Sequence, residues 1–159
     1  MWSTSSTFDA PGVTASAVWS TAYADPSAWP AWNDALASAE LLGPFAVGSR
    51  ARVRFRTGLR LRFTLVEVEP ERAFTDESRL PGARMGHRHE LQPLPARDGE
   101  PAGVRLVNTI YIRGPLARVW ALVLGPQAKR GLPGWQRRAT ALAAGSPGGD
   151  QPAASDRVA

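Results

Sequence analysis

The chain has 159 residues, of which 43% are hydrophobic, and this is enough apolar material for one core but not for two. It contains no cysteine and only two histidines, which excludes disulfides, thiolate nucleophiles, cysteine-ligated metals and a closed all-histidine zinc site. No stretch approaches the ~20 apolar residues that span a bilayer, and the N-terminus lacks the basic and then apolar order of a secretory signal, so we expect a cytoplasmic protein without integral membrane association.

The first predicted elements are a strand and two short helices. Residues 2–8 have the threonine-rich, partly aromatic composition of a strand, and a turn signal follows them. Apolar residues at the i, i+3, i+4, i+7 spacing predict a helix over 13–23. Residues 27–32 predict a second helical turn, capped by Ser27 and interrupted by Pro30.

Six strands follow the short helices. The hydrophobic period changes to two, and turn signals separate the segments. The pattern predicts strands over 36–42, 50–57, 60–69, 72–79, 84–93 and 103–113.

One long helix ends the domain. From Leu116 the helical period returns, and the apolar stripe consists of Leu116, Val119, Trp120, Val123, Leu124, Leu132, Trp135, Ala139 and Leu142. We expect Pro126 and Pro133 to kink or break this helix, because proline removes a backbone donor. Residues 145–159 are small, polar and rich in glycine and proline, which predicts a disordered tail behind a single domain over 1–144.

This order predicts an α+β domain. A seven-stranded curved antiparallel sheet is covered by one long C-terminal helix, with two short helices after the first strand. A single helix cannot fill the concave face of such a sheet. We therefore expect an apolar gap beneath the helix, and such a gap is a ligand site by default.

Short motifs along the chain resemble one family. They are Val18-Trp19, Asp25-Pro26, Trp29-Pro30-Ala31-Trp32, Gly43-Pro44, Val47-Gly48-Ser49-Arg50, Val66-Glu67-Val68-Glu69-Pro70, Leu80-Pro81-Gly82, His89 before Leu91, and Gly114-Pro115-Leu116. Over residues 8–144 the chain resembles the polyketide cyclase/dehydrase and lipid-transport family of the START-like, helix-grip superfamily. The resemblance implies the helix-grip fold and a hydrophobic ligand. It implies no particular reaction, because members of the superfamily bind lipids, hormones, quinones and polyketides and only some are enzymes.

A polar cluster is predicted inside the gap. If the turn between the fifth and sixth strands sets their register, Phe74 faces His89 and Asp76 faces His87, with both histidines on the inward face. Asn108 lies on the inward face of the last strand. In a catalytic interpretation a histidine is the base, Asp76 orients it, and Asn108 donates to an enolate oxygen. In the alternative, aspartate and histidine form a structural, mutually hydrogen-bonded pair.

Further ligand contacts are predicted from the inward faces and from the short helices. The candidates are Trp29, Trp32, Phe55, Phe63, Phe74, Met85, Ile110 and Trp120, with Phe45 as a gate residue on a loop. Core packing is the alternative for the tryptophans. The chain has no phosphate-binding glycine loop, no metal-ligand spacing and no nucleophile next to a base, so we expect no cofactor and no metal.

Arginines dominate one predicted hairpin. The formal net charge is +5, and residues 49–65 carry no acidic residue and six arginines: Arg50, Arg52, Arg54, Arg56, Arg60 and Arg62. Parity favours a three-residue loop over 57–59, with Arg56 opposite Arg60 and Arg54 opposite Arg62. The interpretations are a solvated face near Glu67, Glu69 or Glu77, or a surface for an anionic partner such as an acidic carrier protein, a membrane headgroup or nucleic acid.

Three functions follow from these features. The first is a binding protein for a hydrophobic or aromatic small molecule in the cavity. The second is a cyclase, aromatase or dehydratase that acts on a polyketide-like substrate by acid–base catalysis. The third is an interaction module that uses the arginine hairpin, for which the small net charge argues against nucleic acid. The pattern favours no particular oligomeric state.

Overall fold

The computed structural model describes residues 1–145, and its elements follow the predicted order. All of the predicted tail beyond Gly145 lies outside the described residues. In chain order the elements are β1 (Trp2–Pro11), α1 (Ala15–Val18), a π-helical turn (Trp19–Tyr23), a 3-10 turn (Pro26–Ala28), α2 (Trp29–Trp32), β2 (Leu36–Leu42), β3 (Arg50–Phe55), β4 (Arg60–Glu69), β5 (Ala73–Leu80), β6 (Ala83–Leu94), β7 (Gly103–Arg113) and α3 (Ala117–Ala144).

The seven strands form one antiparallel sheet in the order β1-β7-β6-β5-β4-β3-β2. Strands β2 to β7 form the predicted meander, because each pairs with its successor. Strand β1 joins at the other edge by pairing with β7 along its whole length. Burial alternates along β1 and β7, so one face of the sheet is the core face and the other is exposed. A curved antiparallel sheet under a long C-terminal helix is the predicted helix-grip fold.

The short helices between β1 and β2 begin at two side-chain caps. The Thr14 hydroxyl accepts a hydrogen bond from the backbone N–H of Ala17 at 3.1 Å, and an Asp25 carboxylate oxygen accepts from that of Ser27 at 2.9 Å. The cap is therefore Asp25, and the prediction that Ser27 is the cap is wrong. Pro30 lies in the first turn of α2 and does not interrupt it, because the first helical N–H groups need no partner within the helix.

The predicted pairing of the arginine hairpin is displaced by two residues. The structure pairs Arg54 with Arg60 and Arg52 with Arg62. The reason is that the loop lies one residue earlier than predicted: the N–H of Phe55 donates to the Leu59 carbonyl at 2.8 Å, which closes a three-residue loop over 56–58. A shift of two residues leaves every side chain on its predicted face.

The helix α3 is continuous through both prolines, so the predicted break does not occur. Pro126 and Pro133 are exposed, and the carbonyls of Leu122 and Lys129, one helical turn earlier, belong to exposed residues as well. Solvent can therefore satisfy the carbonyl groups that the prolines leave without a donor. Within residues 1–145 no helix combines the length and the apolarity needed to cross a membrane.

The buried face of α3 differs from the predicted stripe. The residues that it buries are Ala117, Gly125, Ala128, Leu132, Trp135, Gln136, Ala139, Thr140 and Ala143. Of the predicted stripe, Leu116, Val119, Val123 and Leu142 are exposed. In the N-terminal half of the helix only small residues are buried, while the larger Leu132 and Trp135 are buried in the C-terminal half. The space beneath the N-terminal half is consequently not filled by side chains.

Gly86 shows how closely the outer face of the sheet is packed. It lies on β6 between Glu77 of β5 and Tyr111 of β7. The Tyr111 ring crosses over it, and the hydroxyl donates to a Glu77 carboxylate oxygen at 2.7 Å. A Cβ atom at position 86 would overlap that ring.

We therefore expect Gly86→Ala to lower the free energy of unfolding by about 1–3 kcal/mol, the usual cost of overpacking. The measurement is urea denaturation followed by circular dichroism. Gly134→Ala on α3 is the control, since a Cβ there approaches only the flexible Arg138 guanidinium at 3.5 Å. That change should stabilise the helix by about 0.5–1 kcal/mol. Equal effects of the two substitutions would contradict the packing described for Tyr111.

Candidate functional site

A cavity of about 280 Å³ lies between the core face of the sheet and the N-terminal half of α3. Its mouth is formed by exposed lining residues of the β3–β4 loop, the end of β5 and the helix, among them Leu59, Arg79 and Gln127. The complete lining is Trp2, Trp29, Trp32, Asn33, Ala35, Leu36, Phe55, Thr57, Leu59, Leu61, Phe63, Asp76, Arg79, Leu80, Pro81, Met85, His87, His89, Ile110, Trp120, Leu124, Gln127, Ala128 and Trp135.

Tryptophans form much of the apolar wall. Five of the six tryptophans of the chain line the cavity: Trp2, Trp29, Trp32, Trp120 and Trp135. Four of their indole N–H groups already donate to protein oxygens, which are the carbonyls of Tyr23, Ala22 and Pro81 and the carboxylate of Asp34. These four rings therefore present carbon surface to the cavity and not hydrogen-bond donors.

The polar floor of the cavity comes from β5 and β6. Asp76 pairs with His87 and Phe74 with His89, as the turn predicted. His89 Nε2 lies 3.8 Å from Asp76 Oδ2, and the two imidazole ring centroids are 3.8 Å apart. Asn108 of β7 lies behind His89, with its Nδ2 atom 3.3 Å from His89 Nδ1. Asp76, His89 and Asn108 are at most 3% exposed, whereas His87 is half-buried and faces the cavity.

Burial determines the protonation of this cluster. Desolvation raises the pKa of the Asp76 carboxyl to about 8, so this group is largely protonated at neutral pH. Desolvation lowers the pKa of His87 to about 3. The pKa of His89 lies well below its usual value, because the ring is desolvated and because His87 is next to it. The contact between His89 and Asp76 is therefore a contact of neutral groups and not an ion pair at neutral pH.

Three polar atoms around the floor have no hydrogen-bond partner within residues 1–145. They are His87 Nε2, the Tyr23 hydroxyl and Asn108 Oδ1, and all three are buried. Leaving such atoms unpaired costs free energy, typically about 1–3 kcal/mol each. Among these atoms His87 Nε2 belongs to a residue of the cavity wall. A ligand with a polar group can supply its partner.

The predicted site residues divide into two groups. Trp29, Trp32, Phe55, Phe63, Asp76, Met85, His87, His89, Ile110 and Trp120 line the cavity. Phe45, Phe74 and Asn108 lie behind the wall. Phe74 stacks on the His89 ring with centroids 4.2 Å apart, and Phe45 packs edge-on against Phe74 at 5.3 Å. The structure therefore places Phe45 in aromatic packing and does not place it at the mouth.

Some lining residues were not identified from the sequence. Trp2 is the first residue of β1 and shares the inward parity of Phe8, a signal that the strand pattern contained. Trp135 lies on the predicted apolar stripe of the C-terminal helix, and a residue on that stripe was expected to pack in the core. Arg79 and Gln127 stand at the mouth, where no periodic pattern marks a residue as part of a cavity.

The arginine face lies outside the cavity, on the exposed side of β3 and β4. All six arginines of residues 50–62 are exposed, and none forms an ion pair within the described part of the chain. Glu67 pairs with Arg88, and Glu77 pairs with Arg84 and Arg113. Glu69 lies 4.0 Å from Arg72, so all three glutamates expected near the hairpin are engaged elsewhere.

The raised pKa of Asp76 predicts a pH dependence of stability. Between about pH 4 and pH 8 the folded protein holds a proton on Asp76 that the unfolded chain has lost, so the free energy of unfolding falls as the pH rises through this range. Asp76→Asn removes the ionisable group. Relative to the wild type, this variant should become progressively more stable, by up to a few kcal/mol, from pH 4 to pH 8.

The measurement is urea denaturation at several pH values in the presence of a chelator. Glu77→Gln is the matched control, because Glu77 is adjacent and lies on the opposite face. Burial opposes the ionisation of Glu77, but the hydrogen bond from Tyr111 and the charges of Arg113 and Arg84 hold its pKa below the usual value. That variant should be destabilised at neutral pH, and less so in acid. If the free energy of unfolding that Asp76→Asn gains over the wild type does not change with pH, the raised pKa of Asp76 is contradicted.

The family model described as polyketide cyclase / dehydrase and lipid transport matches residues 1–144. No curated protein is significantly similar to the chain. Among solved structures, protein MLL2253 from Mesorhizobium loti is 19% identical with a TM-score of 0.67, over 89% of this chain and 96% of that one.

Two further solved structures carry functional names. The di-domain ARO/CYC BexL from the BE-7585A biosynthetic pathway is 13% identical with a TM-score of 0.62, over 87% of this chain and 46% of that one. Norcoclaurine synthase from Thalictrum flavum is 12% identical with a TM-score of 0.56, over 91% and 96%. At these identities the likeness concerns the fold alone. Because the family model spans almost the whole described chain, the protein belongs to the polyketide cyclase / dehydrase and lipid transport family.

Proposed function

We propose that the protein binds a small hydrophobic or aromatic molecule, of one or two rings, that carries one polar group. The observation that carries the proposal is the cavity itself, which has an apolar, tryptophan-rich wall and a single buried polar floor at Asp76, His87 and His89. Sites for small molecules usually combine an apolar surface with a few well-placed polar groups.

The size of the ligand follows from the volume of the cavity. At about 280 Å³ it has roughly twice the volume of the ~150 Å³ apolar cavity that encloses a benzene molecule. A bicyclic aromatic molecule matches this space. A longer molecule would extend through the mouth, past Leu59 and Arg79.

The polar group of the ligand follows from the floor. His87 is neutral at physiological pH and its buried Nε2 atom lacks a partner in the described chain. It can accept a hydrogen bond, whereas the protonated Asp76 carboxyl can donate one. A phenol, enol or carbonyl group directed at the floor would satisfy these groups. A ligand with a charged group at this end would lose its hydration among neutral side chains, which is costly.

Ligand binding is tested by filling the cavity from the helix. Ala128 is 6% exposed and lines the cavity, so the three added carbons of Ala128→Leu should occupy space that a ligand needs. We expect the affinity for 2-naphthol, measured by quenching of tryptophan fluorescence, to fall about tenfold or more, which is about 1.4 kcal/mol. Stability should be kept, because the new side chain fills a void and does not overpack a filled core.

The control variant is Ala141→Leu, which makes the same change at an exposed position of the same helix. Its affinity for 2-naphthol should equal that of the wild type. Naphthalene serves as the second probe, since it has the same rings but no hydroxyl, and it should bind more weakly to the wild type. The proposal fails if 2-naphthol does not bind, or if Ala128→Leu binds it as well as Ala141→Leu.

Acid–base catalysis on a polyketide-like substrate is the second function that the site fits. The favouring observation is that Asp76 and His87 face each other across β5 and β6 at the cavity floor, so that a carboxyl donor and an imidazole acceptor reach the same ligand. In the dehydration of a β-hydroxy ketone, the acceptor removes the proton on the α-carbon and the donor protonates the leaving hydroxyl, which departs as water. Asn108 would position His89, because it does not line the cavity.

A bicyclic β-hydroxy ketone distinguishes this function from binding alone. 3-Hydroxy-1-tetralone loses one water to give 1-naphthol, whose fluorescence reports the reaction. If the protein is a dehydratase, Asp76→Asn should lower the rate at least about 100-fold, the usual contribution of general acid–base catalysis, while 2-naphthol still binds. If the wild type gives no rate above buffer, the catalytic function is rejected and binding stands.

A further inference from the structure

Three potential metal ligands meet at the cavity floor. One carboxylate oxygen of Asp76 and one imidazole nitrogen each of His87 and His89 lie within 4.8 Å of one another. We propose that these three side chains bind a divalent transition-metal cation such as Zn²⁺, with the remaining coordination positions open to the cavity. The proposal rests on the ligand cavity proposed above but changes its polar contact. A bound cation would use the lone pair of His87 and displace the proton of Asp76, and the polar end of the ligand would then meet the cation.

The spacing of the donors is close to that of a metal site. Zinc lies about 2.0–2.2 Å from imidazole nitrogen and carboxylate oxygen, so tetrahedral ligands are separated by about 3.4 Å. His89 Nε2 is already 3.8 Å from Asp76 Oδ2. Since the three donors lie within 4.8 Å of one another, they need to approach by at most about 1.4 Å, a distance within the range of side-chain rotation.

The strands hold the three residues in place. His87 and His89 are two residues apart on β6, so they share the inward face, and Asp76 lies directly opposite His87 on β5. This His-x-His pair with an aspartate on the next strand is a ligand spacing that only the strand register reveals. The absence of metal-ligand spacing in the linear sequence therefore does not exclude a metal at this position.

The state of the donors also favours a metal. His87 Nε2 is buried and has no partner within residues 1–145. In the present orientation the Asn108 amide directs Nδ2 at His89 Nδ1 and leaves Oδ1 without a described partner. A rotation of the amide by half a turn would let Oδ1 accept from a protonated Nδ1, which frees the lone pair of Nε2 for a metal.

The chemistry of the donor set selects the class of cation. Two imidazoles and one carboxylate suit first-row transition metals and zinc, whereas Mg²⁺ and Ca²⁺ prefer oxygen ligands alone. Sets of three protein ligands are typical of metal sites that keep a position open for water or substrate. Here that position would face the tryptophan-lined space.

Cobalt titration tests the proposal directly. Tag-free, full-length protein is stripped with a chelator and titrated with Co²⁺, whose visible absorption reports nitrogen ligation and coordination number. The chain has two histidines and no cysteine, so the side chains that can produce such a spectrum are few. We expect one equivalent of Co²⁺ to bind with the intense bands of a four- or five-coordinate site, to be displaced by Zn²⁺, and to be unaffected by Mg²⁺.

Variants assign the spectrum to the cluster. His87→Ala and Asp76→Asn should each weaken Co²⁺ binding at least about tenfold, since loss even of an outer partner of a ligand has this effect. Glu90→Gln is the matched control, because Glu90 follows His89 on β6 but points to the other face, where it pairs with Arg88 at 3.2 Å. Circular dichroism and urea denaturation establish that each variant is folded.

The outcomes separate this proposal from the proposed function. If the folded wild type binds 2-naphthol but shows no four- or five-coordinate Co²⁺ spectrum, the metal site is rejected and the ligand cavity stands. If Co²⁺ binds equally to the wild type and to His87→Ala, the cluster is not the site and the proposal is rejected. If Co²⁺ binds as expected while 2-naphthol does not, the metal site is supported and the proposed ligand class is wrong.

Discussion

Hydrogen bonds from the C-terminal half of α3 fix this helix to the sheet, and the cavity depends on that attachment. The fully buried Gln136 donates from Nε2 to the carbonyls of Ser6 and Leu106, at 2.8 and 3.1 Å. Nearby, Arg138 donates to the Trp32 carbonyl at 2.9 Å. At the other end of the helix, Ala117 packs in a separate small cluster of buried residues. Between Ala117 and Leu132 the helix buries only Gly125 and Ala128, so the sheet below that part of the helix stays uncovered.

The polar floor gives this space its specificity, and it does so at a cost in stability. A dry cluster that contains a carboxyl, two imidazoles and partnerless polar atoms is less favourable than an apolar one of the same volume. Aromatic packing holds it in shape, because His89 lies between the stacked Phe74 ring and the edge of Tyr23, whose centroid is 5.1 Å away. Rigid support for unsatisfied polar groups is typical of sites that acquire their partners from a ligand or a metal.

The sequence was sufficient for the strands and for the floor, but it was not sufficient for the helix face or for one hairpin. Alternation gave each strand its inward residues, and the tight turn between β5 and β6 set the pairing of Asp76 with His87. Parity cannot distinguish registers that differ by two residues, which is why the pairing predicted for Arg54 was displaced. For α3 the apolar residues occupy more than one side, so periodicity did not identify the side that meets the sheet. Gln136 lies at the centre of that side and is fully buried. The sequence does not predict this, because the burial of a polar residue depends on the carbonyls that it binds.

Neighbouring carboxyl groups on β5 show how the sheet separates two chemical environments. Asp76 faces the cavity, where desolvation raises its pKa to about 8. Glu77, the next residue, faces outward, and although burial opposes its ionisation, Tyr111, Arg113 and Arg84 hold its pKa below the usual value. The alternation of a strand therefore places a protonated acid and an ionised one within one peptide unit of each other. A slip of one residue in β5 would turn Glu77 into the dry cavity, where it would lose its three partners and have to take up a proton, and would turn Asp76 out toward the arginines. The register that builds the candidate site is thus enforced by both faces of the sheet at once.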